Sequence, residues 1–107
     1  MDNNELKIRS TDVTIRINEA RKKGEDVTPL LREKMELLQI GYKKLSEALK
    51  EDKFEKNPKK YSTLLSYLKN IKDIQQEINL PQDETDKEIS NIHAEMDKAG
   101  LGWLLGK

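Results

Sequence analysis

Residues 28–49 read TPLLREKMELLQIGYKKLSEAL, and this stretch decides the fold. Thr28 followed by Pro29 is typical of a helix start, because the amide hydrogen that Pro lacks would be unbonded there anyway. Apolar residues then recur at alternating spacings of four and three, which predicts a helix over 28–51 with a heptad seam. The seam consists of Leu31, Met35, Leu38, Tyr42, Leu45 and Leu49.

A second helix is predicted over about 58–79, because Asn57-Pro58 repeats the signal of a cap followed by Pro. Its seam consists of Tyr61, Leu64, Leu68, Ile71 and Ile78. The short charged link before Pro58 implies that the two helices run antiparallel, as a helical hairpin. Leu30 and Leu37 widen the apolar row of the first helix, so further helices must cover this hairpin.

The segment before the hairpin has two interpretations. Ser10 or Thr11 is a suitable cap for a helix over 12–22 that ends at Gly24. The alternation of apolar and polar residues from Val13 to Ile17 instead matches a strand. We favour the helix, because the sequence contains no second strand for it to pair with.

A fourth element is predicted over 85–99. Thr85 and Glu88 have the spacing of a capping box, in which each side chain binds a free backbone amide at the helix start. Acidic residues around Thr85 also suit the positive end of the helix dipole. Gly100 is the expected left-handed residue that ends the helix.

The predicted fold class is therefore all-α, a small helical bundle built on an antiparallel helical hairpin with heptad-spaced seams and a flexible C-terminal tail. We divide the 107 residues into an N-terminal arm with a short helix (1–26), the hairpin (27–80), and an acidic helix with an apolar tail (81–107). The heptad spacing leaves open whether the seams meet within one chain or between copies. It favours a homo-oligomer over a monomer.

Composition excludes several classes of protein. The 20 basic and 20 acidic residues balance, and the chain has no Cys, so disulfides and thiolate chemistry are absent. No apolar run is long enough to span a membrane, and the first ten residues have no apolar core of a secretory signal. We expect a cytoplasmic protein that binds neither a membrane nor a cofactor.

Catalytic and metal-binding signals are weak. His93 is the only histidine, and Ser90 stands three residues before it, where a ferritin-like metal motif has Glu. The Gly-Leu-Gly at 100–102 follows a helix, whereas a phosphate-binding glycine loop opens one. We expect no metal, no small-molecule substrate and no enzymatic activity.

The C-terminal segment AGLGWLLGK, residues 99–107, is the best candidate for a binding site. It contains the only Trp of the chain, and aromatic and aliphatic anchors carry much of the energy of protein interfaces. The alternative is that the tail packs on the end of its own bundle. The predicted partner-binding residues are Leu101, Trp103, Leu104 and Leu105.

Balanced total charge hides an uneven distribution. Residues 1–72 contain 17 basic and 12 acidic residues, whereas residues 73–107 contain 3 basic and 8 acidic residues. Two basic clusters stand out, and contacts of this type with phosphates would give weak, salt-sensitive binding of nucleic acid. They consist of Arg16, Arg21, Lys22 and Lys23, and of Lys53, Lys56, Lys59 and Lys60.

The outline of residues 28–107, a capped antiparallel hairpin followed by a detached C-terminal segment, resembles the oligomerisation part of small phage DNA-packaging proteins of the small-terminase type. That resemblance implies a helical ring whose tail contacts a large motor subunit. Residues 1–26 are too short for the DNA-binding helix-turn-helix of that family, so no residue role is carried over.

Taken from its residues, the chain is expected to be a non-enzymatic protein–protein interaction or assembly factor. It would be an adaptor or inhibitor, and a phage or mobile element is one source of such a protein. It would oligomerise through its helices and engage a protein partner with its tail. The alternative is a protein associated with nucleic acid, for example a DNA-packaging or replication accessory.

Overall fold

A computed structural model describes residues 2–52 and 58–101, without the side chains of 49–52 and 58. Its four helices are α1 (Asn3–Lys22), α2 (Thr28–Asp52), α3 (Pro58–Glu77) and α4 (Asp83–Lys98). The all-α class and the helical hairpin are confirmed: α2 packs along α3, while α1 packs on α2 and α4 packs on α3. The wide apolar row of α2 thus meets two neighbours.

Helix α1 is longer than its apolar pattern indicates, because it begins at Asn3 and the predicted helix begins at residue 12. Asp2 caps it, and the Asp2 carboxylate accepts a hydrogen bond from the Glu5 backbone N–H at 2.8 Å. Over the first two turns only Leu6 is buried, so the periodic signal there is sparse. The strand interpretation of Val13 to Ile17 is wrong.

Two glycines end helices as expected. Gly24 and Gly100 have φ of 71° and 77°, the left-handed conformation that side chains with a Cβ rarely adopt. Behind Gly100, the Leu101 N–H donates to the Met96 carbonyl at 2.8 Å, which closes the last turn of α4. Asn79, with φ of 58°, has the same conformation just after α3.

Helix α2 begins where the Thr-Pro pair predicts. The side chain that caps its entry is Asp26, whose Oδ1 accepts hydrogen bonds from the Thr28 N–H at 3.0 Å and the Thr28 hydroxyl at 2.8 Å. These bonds, the backbone one first, lower the pKa of Asp26. The Asp26 carboxylate is therefore the acceptor at the start of the helix, and the Thr28 hydroxyl is a second donor to it.

The predicted capping box of α4 is wrong. The helix begins at Asp83, so Thr85 lies inside its first turn and does not cap it. Thr85 is buried, and its hydroxyl donates to the Gln75 side-chain oxygen of α3 at 2.8 Å. The hydroxyl thus serves a contact between helices, and Gln75, a polar residue in the apolar row of α3, gains a partner.

The apolar side chains form two clusters that share the hairpin. The first cluster joins α1 to the open end of the hairpin, and the second joins α4 to the half nearer its tip. The buried members of the first are Leu6, Val13, Ile17, Leu31, Leu37 and Ile74. The buried members of the second are Tyr61, Leu64, Leu68, Ile92, Met96 and Leu101.

Gly41 lies near the middle of α2 and faces Tyr67 of α3. A Cβ placed on Gly41 would be 2.9 Å from Cε1 of Tyr67 and 3.0 Å from the Tyr67 hydroxyl oxygen. The missing side chain at Gly41 thus makes room for an aromatic ring of the neighbouring helix.

Candidate interaction surfaces

The predicted seams lie largely inside the chain. Leu31 of α2 is buried, as are Tyr61, Leu64, Leu68 and Ile71 of α3. Met35, Leu38, Tyr42, Leu45 and Ile78 are half-buried, and the side chain of Leu49 is outside the described residues. The buried part of the α3 seam thus packs inside the chain, while the described part of the α2 seam beyond Leu31 stays half-exposed.

The first residue of the proposed tail anchor belongs to the protein's own core. Leu101 is 8% exposed and packs in the second cluster with Met96 and Tyr61. The other anchor residues, Trp103, Leu104 and Leu105, lie outside the described residues. The last described residue of the chain is therefore fixed in the second cluster.

The outer face of α1 carries two exposed isoleucines that the sequence reasoning did not assign to a site. Ile8 is 68% exposed and Ile15 is 51% exposed. At 100° per residue they share one face of the helix, because they are seven residues apart, and the buried Val13 and Ile17 lie on the opposite face. Their spacing of seven is a signal in the sequence, but Ile15 also fits the alternation from Val13 to Ile17 that matches a strand.

A groove of about 400 Å³ lies between the first half of α1 and the hairpin. Its lining includes the apolar side chains of Leu6 of α1 and of Leu37 and Leu38 of α2, together with the Tyr67 ring of α3. Its α1 wall is polar and is formed by Asn3, Lys7, Ser10 and Thr11. The groove is thus lined by apolar and aromatic side chains of three helices and by polar side chains of α1, one of them positively charged.

The first basic cluster is partly neutralised by ion pairs. Arg16 contacts Asp12 at 3.0 Å and Glu33 of α2 at 3.1 Å. Arg21 donates two hydrogen bonds from one nitrogen to the Glu77 carboxylate of α3, at 2.8 and 2.9 Å. The Glu77 hydrogen bond raises the pKa of the Arg21 guanidinium. Both arginines hold α1 to the hairpin, which reduces the positive field that they offer to phosphates.

The remaining basic residues are divided between exposed and undescribed positions. Lys22 and Lys23 are exposed at the end of α1. Lys59 and Lys60 each take part in an interaction within the chain, and Lys53 and Lys56 lie outside the described residues. Of the described members, Arg16, Arg21 and Lys22 lie on α1, whereas Lys59 and Lys60 lie on α3.

Three polar contacts hold α4 on the hairpin. The Tyr42 hydroxyl of α2 donates to Glu88 at 2.8 Å, and Lys72 of α3 pairs with Asp86 at 2.7 Å. Burial, and then the hydrogen bond to Glu88, raise the pKa of Tyr42. With the Thr85 bond to Gln75, these contacts determine how α4 lies across both arms of the hairpin.

His93 is half-buried near the middle of α4. Within residues 2–52 and 58–101, no group of three or more His, Asp or Glu side chains is arranged to hold a metal ion. Every buried side-chain nitrogen or oxygen in the same ranges has a hydrogen-bond partner.

No protein-family model, no curated protein and no solved structure matches the chain. None of the helices in the described part of the chain combines the length and the hydropathy needed to cross a bilayer.

Proposed function

We propose that the protein is a non-enzymatic interaction module, an adaptor, assembly factor or inhibitor that associates with a second copy of itself and engages a different protein with its C-terminal segment. The observation that carries this proposal is the exposed pair Ile8 and Ile15 on a helix whose opposite face is fully packed. Among the described residues these are the large apolar side chains that are clearly exposed.

The composition of the chain makes that pair informative. Charged residues are 37% of the sequence and the mean hydropathy is −0.87, so polar side chains are abundant. Solitary apolar residues on a surface are common. Ile8 and Ile15 instead share one face of α1, and exposed apolar side chains grouped on one face are typical of interaction sites.

The C-terminal segment is the second contact in this proposal. Trp103, Leu104 and Leu105 are of the residue types that supply most of the energy at interfaces. Leu101 holds the start of the segment in the second cluster, so a partner would bind close to the end of α4. A fixed attachment lowers the conformational entropy that the segment loses on binding.

The experiment uses the single Trp as a reporter of this segment. We expect Trp103 in the native protein to emit at a red-shifted wavelength and to be quenched freely by acrylamide. Both properties should be close to those of N-acetyltryptophanamide and of the protein unfolded in urea. Emission that is blue-shifted and protected at every protein concentration would place the segment on its own bundle and contradict the tail contact. Protection that grows with concentration would instead place the segment between copies.

The nucleic-acid alternative stays a prediction. It requires Arg16 and Arg21 to contact phosphates, although both are engaged by carboxylates of the hairpin. It predicts a duplex-DNA complex that weakens steeply as salt rises and that is lost when Lys59 and Lys60 are both replaced by Glu. A gel shift measured at two salt concentrations tests it.

A further inference from the structure

The two halves of α1 are attached to the hairpin to different extents. The second half, residues 13–22, buries three apolar side chains, which are Val13, Ile17 and Ala20. In the first half, residues 3–12, Leu6 is buried at 9% exposure, Ser10 is half-buried and the other residues are exposed. Segments with few buried apolar contacts are the ones that open locally at low cost in free energy. The packing of the first half thus depends on one side chain.

The ion pairs of α1 follow the same division. Arg16 contacts Glu33 of α2 at 3.1 Å, and Arg21 contacts Glu77 of α3 at 2.8 Å, so the second half is joined to both arms of the hairpin. Arg9, in the first half, pairs at 2.9 Å with a carboxylate one turn earlier in α1 itself. That pair supports the helix but does not hold it to the hairpin.

The groove described above lies beneath the first half. The α1 residues that line it all belong to 3–12, and they are Asn3, Leu6, Lys7, Ser10 and Thr11. On the hairpin side the lining consists of Leu37, Leu38 and Tyr67. Atoms that face open space lack the dispersion contacts of a packed core. The first half of α1 therefore covers apolar side chains of the hairpin without closing fully on them.

The junction between the two halves is a poor helix former. Residues 10–15 read STDVTI, and each of them ranks below Ala, Leu, Arg and Lys in helix propensity. The Thr11 hydroxyl donates to the Lys7 carbonyl at 3.0 Å, and the Thr14 hydroxyl donates to the Ser10 carbonyl at 2.8 Å. Such bonds to the preceding turn slightly destabilise a helix and often bend it. Helix α1 is thus intrinsically weak at the point where its attachment changes.

The first half has little helical stability of its own. Isolated helices shorter than about 12 residues are marginal in water, because the cost of the first turn is spread over few hydrogen bonds. When Leu6 leaves the hairpin, residues 3–12 should therefore lose their helical structure together with their contacts. Residues 13–22 keep their buried side chains and their ion pairs, so they stay in place.

We infer that residues 3–12 form a lid, a segment that unfolds as one unit and uncovers the apolar groove lining of the hairpin while residues 13–22 stay packed. Opening also removes Ile8 from the helix face that it shares with Ile15, so the exposed pair exists only when the lid is closed. The lid goes beyond the proposed function, because its opening is a property of the single chain and requires no partner.

Native-state hydrogen exchange tests the lid in the full chain. In α1 the amides of residues 6–16 donate to carbonyls of residues 2–12, so all of them are released by the same opening. Their protection factors should be similar and at least about tenfold below those of residues 17–22. Protection that rises gradually along α1 would indicate fraying from the helix end, and equal protection throughout would indicate global unfolding alone. Either result overturns the lid.

Thr11→Ala and Thr63→Ala make the same change at two places. Both threonines are exposed, and each hydroxyl bonds the carbonyl four residues earlier. Thr11→Ala should raise the protection of amides 6–16 about threefold, since Ala is the better helix former and stabilises the closed lid. Thr63→Ala should leave that protection unchanged, because the lid opens without α3. An equal gain in both variants would mean that the lid opens only together with α3, which contradicts a separate unit.

Leu6→Ala removes the side chain that holds the lid. This variant should bind much more of the apolar dye anilinonaphthalene sulfonate than Ile8→Ala, which shortens an exposed side chain of the same helix. Circular dichroism should show that Leu6→Ala loses part of its helix signal but keeps a cooperative thermal transition. Equal dye binding by the two variants would overturn the role of Leu6 and with it the lid. The Trp103 experiment decides the tail contact separately in every case.

Discussion

Gly41 is the residue whose replacement tests most directly how α2 packs on α3. Ala is the better helix former by about 1 kcal/mol, but its methyl group would press on the Tyr67 ring at 2.9 Å. Overpacking of this kind costs about 1–3 kcal/mol. We expect Gly41→Ala to lower the free energy of unfolding by about 1 kcal/mol in urea denaturation, the net of the two effects.

The control for Gly41 is a double-mutant cycle with Tyr67→Ala. Without the ring, the helix preference acts alone, and Gly41→Ala should raise the free energy of unfolding by about 1 kcal/mol. The substitution thus changes sign between the two backgrounds. The same effect in both backgrounds would show that the ring does not limit the approach of the helices.

Tyr42 gives the protein a predictable response to alkaline pH. Its pKa is raised, by burial first and by the Glu88 hydrogen bond next, so the unfolded chain loses the phenolic proton before the folded chain does. This contribution to stability is complete below about pH 10, the ordinary pKa of Tyr, and is lost as the pH rises toward the folded pKa.

The measurement compares urea midpoints of wild type and Tyr42→Phe from pH 8 to 11. The wild type should lose more stability over that interval than the variant does. Glu88→Gln keeps an acceptor but removes the charge, so its loss should be intermediate. If the urea midpoints of wild type and Tyr42→Phe depended on pH in the same way, the raised pKa of Tyr42 would not contribute to stability.

At the level of elements, the Thr85–Gln75 hydrogen bond carries a prediction about how α4 is attached. Thr85→Val keeps the shape of the side chain but leaves the Gln75 oxygen without its donor, which should cost about 1–2 kcal/mol of unfolding free energy. The matched control is Thr63→Val, because the exposed Thr63 hydroxyl bonds only the carbonyl of its own helix at Lys59. That change should stay within about 0.5 kcal/mol.

Removing both partners separates this contact from a helix cap. When Gln75→Leu accompanies Thr85→Val, no unsatisfied oxygen remains, and stability should return close to that of wild type. If Thr85 instead acted as the cap of α4, Gln75→Leu would not compensate for its loss. Thermal unfolding of the single and double variants decides between the two roles.

The sequence predicts the elements whose signals are local. Pro29 and Pro58 mark helix starts through their own backbone chemistry, and Gly24 and Gly100 mark helix ends in the same way. The start of α1 was missed, because its cap at Asp2 precedes a stretch with little apolar periodicity.

Contacts between distant residues are what the local patterns miss. The Thr85 pattern fits a capping box, and nothing nearby in sequence indicates that Gln75 of another helix accepts the hydroxyl. Ile15 was assigned to an alternating pattern, and its exposure follows only from which side of α1 the hairpin covers. Most of the fold was thus predictable, whereas the candidate interaction surface required the packing of α1.

On the scale of the whole molecule, the hairpin couples the two outer helices. Helices α2 and α3 contribute to both apolar clusters, so a loss of packing in either cluster weakens the same central pair. Small domains of this size usually unfold in one cooperative transition. The destabilising effect of a core substitution in α1 should therefore reach α4, although the two helices share little direct contact.

Ile17→Ala in α1 and Met96→Ala in α4 test that coupling. Each should lower the unfolding free energy by about 2–5 kcal/mol, and hydrogen exchange should show weaker protection in α1, α3 and α4 together. The control Ile8→Ala removes an exposed side chain of α1 and should change stability by less than about 0.5 kcal/mol at concentrations that keep the protein monomeric. If Ile17→Ala lowered protection in α1 while α4 kept its wild-type value, the outer helices would be separate units on the hairpin. Loss of the α1 surface would then leave the second cluster, and the attachment point at Leu101, intact.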